Sequence, residues 1–300
     1  MIVLLGGRGY VGNAFQRCFV RRGLAFKAIS RAQTDYTRVG SLTELLRESG
    51  ATFVINAAGY TGKPNVDACE DHRADCLLGN AVLPGIVREA CEEVGVPWGH
   101  VSSGCIYSGR REDGAGFRED DSPNFSFRSG PCSFYSGSKA LGEEVLEGAK
   151  RCYVWRLRIP FEARDSERNY LSKLLRYDRL LDAENSVSHL DDFVEAAVHG
   201  WRSGAPFGVY HLTNPGTVTA RQVTDWMHEE GEQRQERGEA NPFAQEFAFF
   251  DSEEEFLRVA AKTPRSNCVL DTTKAAEAGI VMRPVEEAMN EAIRMFPSPR

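Results

Sequence analysis

A four-residue apolar run, Ile2-Val3-Leu4-Leu5, leads directly into Gly6-Gly7-Arg8-Gly9-Tyr10-Val11-Gly12 at the start of the chain. An apolar run of this length, without polar alternation, reads as a strand buried on both faces. Asn13 to Arg22 reads as the helix that follows it. Glycines in the turn between the two let the backbone bend sharply and let another group approach it closely. The helix N-terminus then offers unpaired N–H groups to an anion. The spacing is Gly-x-x-Gly-x-x-Gly, not the Gly-x-Gly-x-x-Gly of the commoner dinucleotide fold. Strand, glycine turn and helix in that order are nonetheless the context in which such a loop cradles a pyrophosphate. Gly6, Gly9, Tyr10, Val11 and Gly12 are the expected cofactor-binding residues of this turn.

The alternation continues. Phe26-Lys27-Ala28-Ile29 reads as a second strand and Ser41 to Glu48 as a helix capped by Ser41. Phe53-Val54-Ile55 forms a third strand ending in Asn56-Ala57-Ala58-Gly59, and Asp71 to Val94 a long helix that Pro84 should kink or interrupt. Trp98 to Ser102 and Tyr153 to Leu157 supply further strands. Strands alternating with helices predict an α/β fold, a Rossmann-like doubly wound parallel sheet with ligands at the strand C-terminal ends. The glycine loop, Asn56 to Gly59 and Ser102-Ser103 all fall at such ends, so one cleft should gather them, and Asn56, Ala57 and Ala58 join the cofactor-binding set. Residues 1–160 are expected to form the dinucleotide-binding domain. Residues 161–300 should be mostly a smaller C-terminal substrate-binding lobe, with some segments returning to the first domain. The connection from 108 to 132 lacks periodicity, and a loop of that length is expected to face the substrate. The charged run Glu229 to Glu239 reads as a solvated helix end or mobile loop.

Tyr135-Ser136-Gly137-Ser138-Lys139 is a Tyr-x-x-x-Lys, which on a helix places phenol and ammonium on one face. A tyrosine titrates near ~10, and a cation beside it makes it a usable acid. The motif is common by chance and gains weight from the glycine loop upstream. Ser30-Arg31 stands at the end of the second strand, where an acidic residue would bind a ribose 2′-hydroxyl. An arginine fork suits a 2′-phosphate, so NADP(H) is preferred, while Asp35 keeps NAD(H) open.

Composition excludes several classes of function. A net charge of −7 over 300 residues argues against a nucleic-acid groove or an anionic membrane surface. No apolar run reaches transmembrane length, and the N-terminus reads as a strand instead of a signal peptide. The eight cysteines show no Cys-x-x-Cys and no paired histidine spacing, as expected for reduced thiols in a cytoplasmic protein without a structural metal. His189-Leu190-Asp191-Asp192 should close a turn and cap the following helix. Asn80 either hydrogen-bonds backbone near the site or serves packing.

The runs Val54-Ile55-Asn56-Ala57-Ala58-Gly59-Tyr60-Thr61-Gly62, Asn65-Val66-Asp67, Ser103-Gly104-Cys105-Ile106, Glu119-Asp120-Asp121-Ser122-Pro123-Asn124-Phe125 and Ser133-Phe134-Tyr135-Ser136 carry a family resemblance. Asn169-Tyr170-Leu171-Ser172-Lys173, Thr213-Asn214-Pro215-Gly216 and Pro264-Arg265-Ser266-Asn267 extend it over nearly the whole chain. The chain resembles an extended short-chain dehydrogenase/reductase and, within that group, the dTDP-4-dehydrorhamnose reductases. It is more similar still to the plant-type nucleotide-rhamnose synthase/epimerase-reductase, a UDP-4-keto-6-deoxyglucose 3,5-epimerase/4-reductase. The resemblance implies that Tyr135 protonates the C4 oxygen as hydride arrives, that Lys139 lowers the Tyr135 pKa and holds the nicotinamide ribose, and that Ser103 hydrogen-bonds the same carbonyl oxygen. Threonine is usual in the family at the Ser103 position.

It further implies that Cys105 and Lys173 form an epimerisation pair, and that Thr61, Asn169 and Arg265 bind substrate. Arg265 would clamp a nucleotide diphosphate, the alternative for it being a structural salt bridge. The substrate would be a nucleotide-diphosphate sugar, UDP or dTDP; homodimers are common in the family. Two alternatives stand beside the bifunctional enzyme. One is a monofunctional dTDP-4-dehydrorhamnose reductase. The other, of a different class, is a non-catalytic nucleotide-binding regulatory subunit, which should have lost Ser103, Tyr135 or Lys139; all three are present.

Overall fold

The computed structural model describes residues 1–63 and 65–298. β1 (Ile2–Leu5), α1 (Tyr10–Arg21), β2 (Phe26–Ile29), α2 (Val39–Ser49) and β3 (Phe53–Asn56) open the chain. A broken helical run follows as α3 (Ala68–Asp71), α4 (Arg73–Leu77), a π turn at Leu78–Val82 and α5 (Leu83–Val94). Then come β4 (Trp98–Ser103), α6 (Phe134–Val145) and β5 (Cys152–Leu157). Beyond them lie β6 (Pro160–Phe161), α7 (Tyr170–Leu174), β7 (Arg179–Leu180), β8 (Ser188–His189), α8 (Leu190–Ser203) and β9 (Gly208–His211). The chain closes with α9 (Ala220–Glu236), β10 (Ala248–Phe249), α10 (Glu253–Val259), α11 (Thr273–Glu277) and α12 (Val285–Arg294). No described helix is long and apolar enough to cross a membrane.

Six strands form one parallel sheet in the order β2-β1-β3-β4-β5-β9. The winding reverses between β1 and β3, the switch point at which α/β sheets bind ligands. Leu5 pairs with Ile29 on one side and Asn56 on the other, so the three strands end level and their following loops meet. β1, β3, β4 and β5 are buried along their whole length, which is why they read as apolar runs without alternation. β2 is the edge strand and carries exposed Lys27, a charge that discourages edge pairing.

Both sheet faces are covered. Leu4, Phe15, Phe19, Phe53, Trp155 and Phe193 pack together beneath α1 and α8. Val3, Leu5, Leu46, Val54, Val87 and Trp98 form the opposite layer with α2 and α5. α8 and β9 thus return from the second half of the chain to the sheet. A separate core gathers Phe161, Leu171, Val223, Met227, Phe243 and Met289.

Three local readings of the sequence are corrected by packing, and the interruption expected at Pro84 takes the form of a π turn. α1 starts at Tyr10, so Gly12 lies inside it against the glycine turn. α2 starts at Val39 after Arg38, which makes no side-chain cap, and Ser41 lies within the helix. The run from Asp71 to Val94 breaks at the π turn. Pro84 has no N–H to give the carbonyl of Asn80 four residues earlier, and that carbonyl instead faces α6, where a Cβ on Gly142 would stand 2.0 Å from it. In the charged stretch Glu229 to Glu239, Arg234 is buried and donates to the carbonyls of Arg294 (2.7 Å) and Phe296 (2.9 Å). It satisfies the last carbonyls of α12, so this segment is structural and not merely solvated.

Gly142→Ala should destabilise the fold by about 1–3 kcal/mol through overpacking against the π turn. Gly40→Ala, in α2 with open space around it, should instead gain up to ~1 kcal/mol. Chemical denaturation of the two variants measures the contrast.

Candidate active site

The switch point is built by close backbone approach. Gly6 has φ +75°, and a Cβ on it would stand 2.5 Å from the Ala58 nitrogen; one on Gly12 would stand 2.2 Å from the Gly6 carbonyl. Gly9 N–H donates to the Gly6 carbonyl at 2.9 Å and Gly9 is the N-cap of α1. No side chain caps this helix and no acidic residue occupies its first turn. Its leading N–H groups therefore face the cradle unclaimed, which fits a pyrophosphate. Val11 packs on the core, and the Tyr10 hydroxyl is buried beside the Glu162 carboxylate with no hydrogen-bond partner among the described residues.

At the end of β2, Ser30 Oγ donates to Gln33 Oε1 at 2.7 Å. Arg31 is exposed and makes no ion pair among the described residues. Asp35 is occupied locally: Thr37 donates to its carboxylate from both side chain and backbone and holds it below the usual carboxylate range. Asn56, read from the sequence as a cofactor contact, turns inward instead. Its Oδ1 accepts from Ala58 N–H (3.1 Å) and its Nδ2 meets His100 Nδ1 (3.1 Å). Burial, and then Lys139, push the His100 pKa well down, so a neutral imidazole accepts from Asn56. Asn56 shapes the loop from below, and Ala57 and Ala58 bring its backbone to Gly6.

β4 and α6 bring Ser103, Cys105, Tyr135 and Lys139 together. Ser103 ends β4, and its Oγ accepts from Cys105 N–H at 3.2 Å. Ser133 caps α6, accepting from Ser136 N–H at 3.1 Å, and the helix projects Tyr135 and Lys139 from one face. Lys139 Nζ donates to the Val101 carbonyl at 3.3 Å and would stand 3.4 Å from a Cβ on Gly59. The loop after β3 therefore meets α6 at a glycine.

The electrostatics depart from the sequence expectation that Lys139 lowers the Tyr135 pKa. Burial dominates and pushes the phenol up, the nearby Cys105 thiol adding to the rise and the neighbouring Ser103 hydroxyl opposing it. Burial likewise pushes Lys139 down, with Cys105 and Glu143 working against that fall. A low-dielectric pocket disfavours both charged forms.

Cys105 is buried among Ile106, Tyr107, Phe117, Cys268 and Leu270. Burial pushes its thiol up, away from the thiolate, although Ser103, Ser136 and Arg158 pull the other way. Lys173 lies on α7, half-buried; burial and the nearby Arg168 and Arg265 push its pKa down. No hydrogen bond joins Cys105 to Lys173 among the described residues.

Lys173 belongs to a group of cations. Arg265 makes a bidentate ion pair with Asp67 (2.6 and 2.7 Å), so the salt-bridge alternative for it is realised. Arg168, which sequence reasoning missed by starting the family run one residue late, donates to the Gly62 carbonyl at 2.6 Å. Lys173 thus lies near two guanidinium groups, one paired with Asp67 and the other bonded to the loop that carries exposed Thr61. Asn169, expected to contact substrate, turns its side chain inward. It is fully buried, caps α7 by accepting from Leu171 N–H (3.2 Å), and donates to the carbonyls of Glu162 and Arg164 (both 2.7 Å). Asn80 bonds backbone near the site: it accepts from Tyr60 N–H (2.9 Å) and donates to the Tyr60 carbonyl (2.8 Å) and to Ser138 Oγ (3.0 Å).

Residues 1–297 match the model of the RmlD substrate binding domain family. The chain belongs to that family. It is 30% identical over 277 residues to a bifunctional dTDP-4-dehydrorhamnose 3,5-epimerase/dTDP-4-dehydrorhamnose reductase of Arabidopsis thaliana, covering 91% of this chain and 85% of the relative. A trifunctional UDP-glucose 4,6-dehydratase/UDP-4-keto-6-deoxy-D-glucose 3,5-epimerase/UDP-4-keto-L-rhamnose-reductase of the same plant is 28% identical over 91% of this chain, which spans only 38% of that protein's length. The fold matches the crystal structure of a UDP-rhamnose synthase from Acanthamoeba polyphaga mimivirus with a TM-score of 0.87, at 20% identity, over 98% of this chain and 99% of that one. Membership in the RmlD substrate binding domain family places the chain in a family of reductases.

Tyr135 should stay un-ionised beyond the ordinary tyrosine value of ~10. The ultraviolet difference titration of wild type against Tyr135→Phe should therefore be flat below that pH; a tyrosinate step near neutrality would show that Lys139 outweighs burial.

Proposed function

We propose that this chain is an NADPH-dependent, bifunctional 3,5-epimerase/4-reductase that converts a nucleotide-linked 4-keto-6-deoxyglucose, as its UDP or dTDP form, into the nucleotide-linked L-rhamnose. The observation that carries the reading is the convergence of Ser103, Tyr135 and Lys139 beside the glycine cradle at the sheet's switch point. In this reading residues 1–160 bind the dinucleotide, and residues 161–300 form mostly the substrate lobe, with α8 and β9 returning to the sheet. Exposed Arg31 beside a locally occupied Asp35 supports a 2′-phosphate, hence NADP(H) over NAD(H). The eight unpaired cysteines fit a reducing compartment, the cytoplasm.

NADPH supplies the hydride when bound. Tyr135 gives its phenolic proton to the C4 oxygen while the Ser103 hydroxyl hydrogen-bonds that oxygen, and Lys139 stabilises the phenolate left behind. A buried phenol with a raised pKa begins in the protonated form this step needs. For epimerisation the same polarised carbonyl stabilises the enolate, while Cys105 and Lys173 exchange protons at C3 and C5 from opposite sides of the sugar. Arg168 and Arg265 hold the diphosphate, and Thr61 lies at the lip of the cleft. The monofunctional reading rests on a specific observation: burial holds the Cys105 thiol away from the thiolate.

With either nucleotide form of the 4-keto-6-deoxy sugar in D₂O and no NADPH, deuterium should enter C3 and C5 by NMR. Cys105→Ser and Lys173→Met should each stop that exchange while leaving reduction of pre-epimerised 4-keto-rhamnose measurable. Tyr135→Phe should lower reduction by about 10²–10⁴-fold. Turnover of pre-epimerised sugar alone would reduce the enzyme to a 4-reductase. No exchange, and no oxidation of NADPH or NADH with either sugar, would favour the regulatory subunit.

Arg31→Ala should raise KM for NADPH by roughly tenfold through loss of a charge-assisted phosphate contact and leave KM for NADH almost unchanged. Steady-state kinetics with each cofactor would measure the split.

A further inference from the structure

Glu143 lies one turn after Lys139 on α6, with its side chain 12% exposed. Residues four apart share a helix face. Both carboxylate oxygens are occupied. Oε1 accepts from Ser102 Oγ and from Arg156 Nε (3.0 Å), while Oε2 accepts from Arg156 Nε (3.0 Å) and Nη2 (2.6 Å). Ser102 immediately precedes Ser103 on β4, and Arg156 comes from β5, so the carboxylate ties the catalytic helix to two adjacent strands.

Arg156 spends its remaining nitrogen on neutral acceptors: the Tyr107 hydroxyl (3.0 Å), the Glu119 carbonyl (3.3 Å) and His211 Nε2 (3.0 Å). His211 donates its single ring N–H, at Nδ1, to the Asp271 carbonyl at 3.0 Å. Burial and Arg156 draw its pKa down to about 3, so it is a neutral acceptor. The groups bearing on Lys139 are Cys105 from the turn after β4, Cys76 from α4, His100 from β4, and Glu143 from α6 itself. Of these, only Glu143 is of a type that is ordinarily anionic at neutral pH.

A buried ion pair contributes little net stability compared with a well-packed apolar pair. Its place behind the Tyr-x-x-x-Lys face gives it an electrostatic use. Resting on the reading of Tyr135 and Lys139 as the reductase pair, we propose that Glu143 is a positioning residue that sets how tightly Lys139 holds its proton, with Arg156 as its counter-ion. A fixed negative charge one turn away raises the proton affinity of the ammonium. It thereby keeps Lys139 charged for stabilising the phenolate.

The test is a sign reversal in the pH dependence of kcat for ketone reduction. Glu143→Gln keeps the shape and removes the charge, so the alkaline limb should move down by roughly one pH unit. Arg156→Met leaves the carboxylate uncompensated and should move the limb up. Limbs that stay in place, or that move the same way in both variants, would overturn the proposal and leave a structural salt bridge, whatever happens to Tm. Should Arg156→Met fail to fold, Glu143→Gln alone decides: no downward shift sinks the idea. An NMR titration of the Lys139 side chain, assigned against Lys139→Met, reads the same proton affinity without turnover. If wild type reduces neither sugar, the reductase reading falls, and that titration still tests the effect of Glu143.

Discussion

The Asn80 carbonyl sits where a Cβ on Gly142 would be, and the mutual placement of the site's parts depends on that approach. Pro84 cannot donate to this carbonyl, so the helix between β3 and β4 opens into a π turn at Leu78–Val82. Opening there aims the Asn80 side chain at Tyr60, which it holds through both backbone N–H and C=O, much as a strand neighbour would. The same amide reaches Ser138, next to Lys139 on α6. One backbone irregularity therefore fixes the loop after β3 against α6. With an N–H donor in place of Pro84, a regular helix would keep Asn80 O in its own ladder and lose the seat into which Gly142 packs.

Burial is the second organising force, and it acts on chemistry more than on stability. Tyr135, Lys139, Cys105 and Lys173 are all drawn toward their neutral forms, chiefly by desolvation. For a proton donor this is useful, because a phenol that resists ionisation in the resting site still has its proton when needed. The same low dielectric strengthens every interaction with charge that develops during reaction. For a thiol acting as a base it is a handicap. In the proposed reading, reduction and epimerisation would therefore make opposite demands on these groups, and Ser103 and Ser136 beside Cys105 work against the thiol's rise.

What the sequence disclosed, and what it hid, follows from the range of the interactions involved. β2 matches its apolar run Phe26–Ile29 residue for residue, and the glycine turn and Tyr-x-x-x-Lys sit where local spacing puts them, because hydrogen bonds within a few residues decide those features. Side-chain direction is another matter. Asn56 and Asn169 lie in family-like runs, yet both turn inward because the backbone groups they satisfy are brought near by the fold. Arg234 looked solvated in a charged run and is buried against the end of α12, some sixty residues away in sequence. No periodicity reports such a partner. The Pro84 interruption was legible, but its form as a π turn depended on α6 supplying a glycine.

The cluster at the mouth of the cleft shows how a structural salt bridge and a binding role can share residues. Asp67 follows β3, whereas Arg168, Lys173 and Arg265 come from the second half of the chain. The Asp67–Arg265 pair and the bond from Arg168 to Gly62 therefore link the two halves across the cleft. Arg265 is already desolvated and oriented by Asp67 and by the Thr263 carbonyl. A diphosphate arriving in the proposed reading would meet a guanidinium whose ordering cost has been met during folding, and preorganisation of that kind favours affinity. The salt bridge inferred as the plain alternative for Arg265 is thus the state from which a nucleotide-sugar site can be assembled.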